Sequence, residues 1–121
     1  VAVLPCGCGP HDVWALDSSL ELVRTAQEYR PTLRVCVVLN RVQGATRIAR
    51  SSRIALGGAG VPVLAAQVSC RVTFPEAAAA GQGVVMYAPQ DKASGELRAL
   101  VTEVLNLGGK IDETGTSDRA A

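Results

Sequence analysis

Cys6, Cys8 and His11 lie within a short span of the chain, and two thiolates with an imidazole form a soft donor set that suits zinc. A Cys-x-Cys at the end of an apolar run is more simply a pair of buried thiols, so no metal site is expected and a small metal or redox protein is the remotest reading. Asn40-Arg41 closes the most hydrophobic run of the sequence. An asparagine amide there can match both a donor and an acceptor on a purine edge, or it can satisfy the backbone of its own loop. Arg47, Arg50 and Arg53 recur every third residue and, with Arg71, belong to a stretch between Glu28 and Glu76 that has no acidic residue. Such a cluster suits phosphate contacts on DNA, or it is a solvated basic surface. Asp12 reads as a helix cap rather than an acid or base. His11 is the sole histidine and has no partner for a triad. No catalytic residue is assigned.

These residues need elements to hold them. Val1 to Cys6 is an apolar run that turns into Gly7-Cys8-Gly9-Pro10, as a buried strand enters a tight loop. Leu16, Leu20, Val23 and Ala26 then recur at helical spacing from Val13 to about Tyr29, with Trp14 as a core anchor. Leu33 to Val42 contains Val35-Cys36-Val37-Val38-Leu39, too apolar and β-branched for a half-exposed strand, and it belongs in the middle of a parallel sheet. A second helix is expected over 45–56, with Arg47, Arg50 and Arg53 on an arc of about 120°. Val61 to Val68 predicts a third strand and Thr73 to Ala80 a short helix with Pro75 in its first turn. Val84 to Tyr87 reads as a short extended piece. Ala93 to Leu107 reads as a last helix, with an apolar stripe of Leu97, Leu100, Val101 and Val104 ended by Gly108-Gly109.

Strands alternating with helices give an α/β fold, here a truncated parallel sheet of about three strands with flanking helices. Its binding edge lies at the C-terminal strand ends, so the loops after Cys6, Asn40 and Ser69 are the ones that matter. One α/β domain is expected over 1–107 and a polar, disordered tail over 108–121. A composition of 48% hydrophobic residues with a net charge of +1 argues against wholesale disorder. Cysteines without a regular framework, and apolar runs too short to span a bilayer, predict a cytoplasmic protein with no membrane association. No glycine-rich loop ends in a lysine, since the only lysines are Lys92 and Lys110; a phosphate cradle is therefore not expected.

Taken in order, several segments resemble the ParA/MinD family of partitioning and positioning ATPases, which carry a deviant Walker motif. Val1-Ala2-Val3-Leu4-Pro5 with Pro10-His11-Asp12-Val13-Trp14-Ala15 is similar to the family's strand and proline-rich loop that ends in an aspartate. Val37-Val38-Leu39-Asn40-Arg41 resembles the strand that ends in the adenine-side asparagine and basic residue. Val68-Ser69-Cys70-Arg71-Val72-Thr73-Phe74-Pro75-Glu76-Ala77 with Gly81 resembles the segment in which an arginine leads to a Glu-Ala pair, and Gly95-Glu96-Leu97 begins the closing helix.

The resemblance covers residues 1 to 107 and implies the C-terminal half of a P-loop NTPase-like domain. Asn40 and Arg41 would contact adenine, while the Walker A lysine, the Walker B aspartate and the switch region would lie upstream of Val1. ATP and magnesium would then be cofactors of a complete family member, with none expected for this chain alone. Such a part would be inactive by itself, would face DNA non-specifically through Arg47, Arg50, Arg53 and Arg71, and would meet a partner protein of a partition system. The rival expectation is a free-standing, non-enzymatic interaction domain that acts as a homodimer.

Overall fold

The structure is a computed structural model that describes residues 1–44 and 46–115, with 109–115 described for their helix alone. Three strands form one parallel sheet in the order β1-β2-β3, comprising β1 (Ala2–Cys6), β2 (Val35–Val42) and β3 (Val63–Ser69). The helices are α1 (Pro10–Tyr29), α2 (Arg47–Gly57), α3 (Thr73–Ala79), α4 (Val84–Tyr87) and α5 (Lys92–Gly115). The α/β class and the central place of the Val35–Leu39 run are as the sequence predicts. Sequential order with right-handed crossovers puts α1 and α2 on one face of the sheet. α5 packs on the other.

The alternation of β2 sorts its side chains between these layers. Val37 and Leu39 join Cys6, Leu16, Leu20, Ala49 and Leu56 under α1 and α2. Cys36 and Val38 face Leu64, Leu100, Val104 and Leu107 on the α5 side. Strict alternation would next bring Arg41 into the first layer, but a register shift against β3 falls between Leu39 and Val42. Arg41 has φ 53°, in the left-handed region, and Val42 takes the buried place instead, 1% exposed. The strand ends at Val42, as the sequence reading of Leu33 to Val42 has it, and begins two residues later, at Val35.

Several boundaries move for local reasons. α1 starts at Pro10, whose fixed φ suits a first helical position, and Gly9 precedes it as the cap. Asp12 is therefore the third helical residue, and its Oδ2 accepts the Gly9 N–H at 3.0 Å. Thr46 caps α2 by accepting the Ala49 N–H at 3.2 Å; Ala45, the expected start, is outside the described residues. β3 begins after Pro62, whose carbonyl accepts the Val37 N–H at 2.9 Å. Trp14 is no core anchor but 65% exposed. The buried stripe of α1 runs through Leu16 and Leu20, and at about 100° per residue Trp14 stands well away from it.

Val84–Tyr87 is a helical turn rather than an extended piece. Gly81, at φ 70°, ends α3 with Gln82 N–H bonded to the Ala77 carbonyl and Gly81 N–H to that of Ala78, the paired closure of a Schellman motif. Val84 then turns inward against Ala77 and Ala93, and Ser94 Oγ donates to the carbonyls of Val84 at 3.2 Å and Ala88 at 2.6 Å. α5 continues to Gly115, beyond the Gly108-Gly109 pair expected to stop it. The expected tail over 108–121 overlaps this helix up to residue 115 and otherwise falls on residues outside those described.

Both faces being covered, the edges of the sheet remain. At β3 the register shifts within Val63–Gln67, and the N–H groups of Ala65 and Ala66 both point to Glu103 of α5. Its Oε2 accepts from Ala65 at 3.0 Å and its Oε1 accepts from Ala66. At β1 the Ala2 N–H bonds to the Arg34 carbonyl at 2.7 Å, so by alternation Val3 and Pro5 face outward, and Pro5 has no N–H to offer.

Candidate functional site

The C-terminal edge of the sheet gathers the β1–α1 turn, the end of β2 and the segment after β3. In the first turn the Asp12 carboxylate lies close over Gly7 and Gly9: a Cβ at Gly7 would meet Oδ2 at 2.7 Å and one at Gly9 would meet it at 2.9 Å, so a side chain at either position would displace the carboxylate. The opening of α1, where free N–H groups attract anions, is thus occupied by the protein's own carboxylate. Burial and the Asp12 charge raise the Cys6 and Cys8 thiols above their usual range, with the Cys8 thiol raised despite Arg53. Both favour the thiol form over the metal-binding thiolate. Among the described residues no three His, Cys, Asp or Glu side chains converge as a metal group.

At the end of β2, Asn40 Oδ1 accepts the Arg41 N–H at 3.0 Å, which ties the amide to its own loop. The Nδ2 group makes no bond to another described residue. Arg41 is exposed and, with Gly7, Asp12 and Ser19, lines a depression of about 200 Å³. Of the expected adenine-side pair, Arg41 is therefore brought next to the β1–α1 turn.

The four DNA-side arginines do not share one environment. Arg53 turns down onto β3, donating from Nη1 to the Leu64 carbonyl at 2.6 Å and from Nη2 to Gln67 Oε1 at 3.1 Å. Arg71 pairs with Glu96 at 2.7 Å from Nε to Oε1. Arg47 and Arg50 are exposed. Arg50 lines a hollow with Arg53, Thr46 and Gln67, whereas Arg47 borders a different groove, on the α1 side, with Trp14.

Glu96 was not legible as a site residue. Its carboxylate accepts from Ser69 Oγ at 2.6 Å as well as from Arg71. Burial works against its charge, but the hydrogen bonds from Arg71 and Ser69 and the Arg71 charge outweigh it and hold Glu96 below the usual carboxylate range. Ser52, also unsuspected, donates to the Cys8 carbonyl at 2.6 Å and ties α2 to the β1–α1 turn. A serine on the buried side of α2, among Ala49 and Leu56, was the available signal.

No protein-family model matches the chain, and no solved structure matches it. It is 27% identical over 106 residues to "Maintenance of carboxysome distribution protein A" of Halothiobacillus neapolitanus. The match supports ParA/MinD kinship. It takes in 87% of this chain and 48% of that protein, so the chain spans about half the length of the curated relative it matches. Among the described residues no helix is long and apolar enough to cross a membrane.

Proposed function

We propose that this chain is the C-terminal part of a ParA-like positioning or partition ATPase, and that it supplies nucleotide-side and DNA-side contacts while phosphate chemistry resides elsewhere. The similarity to a carboxysome distribution protein over most of the chain carries this reading. The cargo on this reading is DNA, as in partition, or a protein compartment of the kind named for that relative. Asn40 Nδ2 and the Arg41 guanidinium would meet the base of ATP. The Asp12 carboxylate occupies the α1 opening and would repel a phosphate there, which supports placing the triphosphate and magnesium contacts outside the described residues. Arg47 and Arg50 would face DNA phosphates, with Arg53 and Arg71 contributing less because each is already bonded to its own fold.

The purified chain is expected to hydrolyse no ATP and to bind duplex DNA without sequence preference at low salt. Arg47→Ala with Arg50→Ala should remove the binding, and the slope of log affinity against log salt for the parent should be about −2 for two phosphate contacts. ATP turnover that persists through purification would overturn the first expectation; unchanged DNA affinity in the double variant would overturn the second.

A second reading is a free-standing, cytoplasmic, non-enzymatic interaction domain that works as a homodimer. It is favoured by the sealed edge of β3 and the helices on both faces, which equip this length of chain to fold without the rest.

A further inference from the structure

A groove of about 380 Å³ lies between the first turn of α1 and the outer side of α2, away from the adenine-side pair. Pro10, Val13 and Trp14 form one wall and Ile48 and Ala55 the other, with Ser51, Ser52 and Arg47 as the polar groups. The volume falls within the range of about 300–1,000 Å³ found for small-ligand sites, and the pattern of apolar walls with few polar groups is theirs too.

The groove is held open rather than left over from loose packing. The Ser52–Cys8 hydrogen bond pins its floor. His11 and Trp14 meet edge to face, with 5.1 Å between ring centroids and the ring planes at 90°. Trp14 and Ile48 remain 65% and 58% exposed, so the walls are free among the described residues. Arg47 has neither a hydrogen bond nor an ion pair with another described residue, and no acidic residue lines the groove. An apolar slot with one unpaired guanidinium at its rim selects a molecule with a flat hydrophobic body and a single negative head, since the head gains a charge-assisted bond that a neutral group cannot.

We propose that this groove binds a small amphipathic monoanion, an aryl carboxylate or a compound of that class, with the ring between Trp14 and Ile48 and the carboxylate on Arg47. The site does not depend on the nucleotide or DNA contacts proposed above, apart from the shared use of Arg47.

Trp14 is the only tryptophan, so its indole N–H gives one reporter signal in a nitrogen-15 correlation spectrum of the full chain. 2-Naphthoate is expected to shift that signal saturably, and neutral 2-naphthamide to bind at least about tenfold more weakly, the usual size of a charge-assisted bond. Arg47→Gln should remove the preference for the anion. Arg50→Gln, which deletes the same charge outside the groove, should keep it, and both exposed positions leave the fold intact. The proposal is overturned if naphthoate gives no saturable shift, if the two probes bind alike to the parent, or if both variants lose the preference equally. Binding of naphthoate that disappears as the chain is concentrated would also overturn it, because the groove would then be filled by a second copy of the chain.

Discussion

Arg41 holds a conformation that side chains with a Cβ avoid, at a cost of about 1–2 kcal/mol. At φ 53° it shifts the alternation of β2 by one residue, so that Val42 is buried in its place. Arg41→Gly should therefore raise stability by about 0.5–1 kcal/mol, and Arg41→Val should lower it by about 1 kcal/mol or more, because a β-branched residue fits that region worst. Urea titration of both variants reads the contrast; a loss of stability in the glycine variant equal to that in the valine variant would show that the left-handed backbone carries no strain. Glu96 makes a pH prediction of definite sign. Its folded pKa is lowered, so the stability from its bonds to Arg71 and Ser69 is fully present above the unfolded value of about 4.3 and is lost as pH falls through the folded value. Glu96→Gln should flatten the stability profile below about pH 4. An unaltered acid limb would mean that other carboxylates dominate it.

At the scale of elements, the legible features were those with a local cause. The Val35–Leu39 run has no polar residue and could only lie within a covered sheet, and Leu16 with Leu20 marks the inner side of α1. What stayed hidden depends on chain distant in sequence. A helical arc puts Arg53 with Arg47 and Arg50, yet its guanidinium is drawn to acceptors 11 and 14 residues away on β3. Val84–Tyr87 looks extended until Ser94 is seen bonding to the Val84 carbonyl, and to that of Ala88 just after it. For the candidate site, the position of Asn40 and Arg41 at the end of β2 was legible from the apolar run before them, whereas Glu96 and Ser52 have partners that spacing does not encode. The bond of Glu103 to β3 is another long-range device, and it blunts an edge that would otherwise invite pairing. Glu103→Ala leaves two edge N–H groups without their acceptor and should cost about 1–2 kcal/mol, with turbidity on heating appearing earlier than in the parent. Glu103→Gln, which keeps one acceptor, should fall between. Identical melting of all three proteins would remove the bond from the account.

For the whole molecule, the two edges of the sheet are unequal. β3 is sealed by α5, while β1 has no neighbour on its outer side among the described residues and is blunted by Pro5 alone. An exposed face of this kind favours a second chain, and a two-fold pair is the commonest solution. A homodimer formed along β1 is the expected outcome, read by light scattering over a dilution series. Val3→Pro, which removes an outward N–H, should shift the series toward monomer; a single folded monomer at micromolar concentration in the parent would sink the expectation.

The bond between α5 and β3 also has a schedule. Glu103 comes 38 and 37 residues after the two N–H groups it accepts from, and a ribosome adds roughly 5–20 residues per second. For about 2–8 seconds of synthesis the nascent sheet has its third strand but not its seal. In that interval the edge of β3 is open to any neighbouring nascent chain, and crowding several ribosomes on one message brings such neighbours close. The yield of soluble protein should then depend on how fast the segment from Ala65 to Glu103 is translated, although the finished fold is indifferent to it.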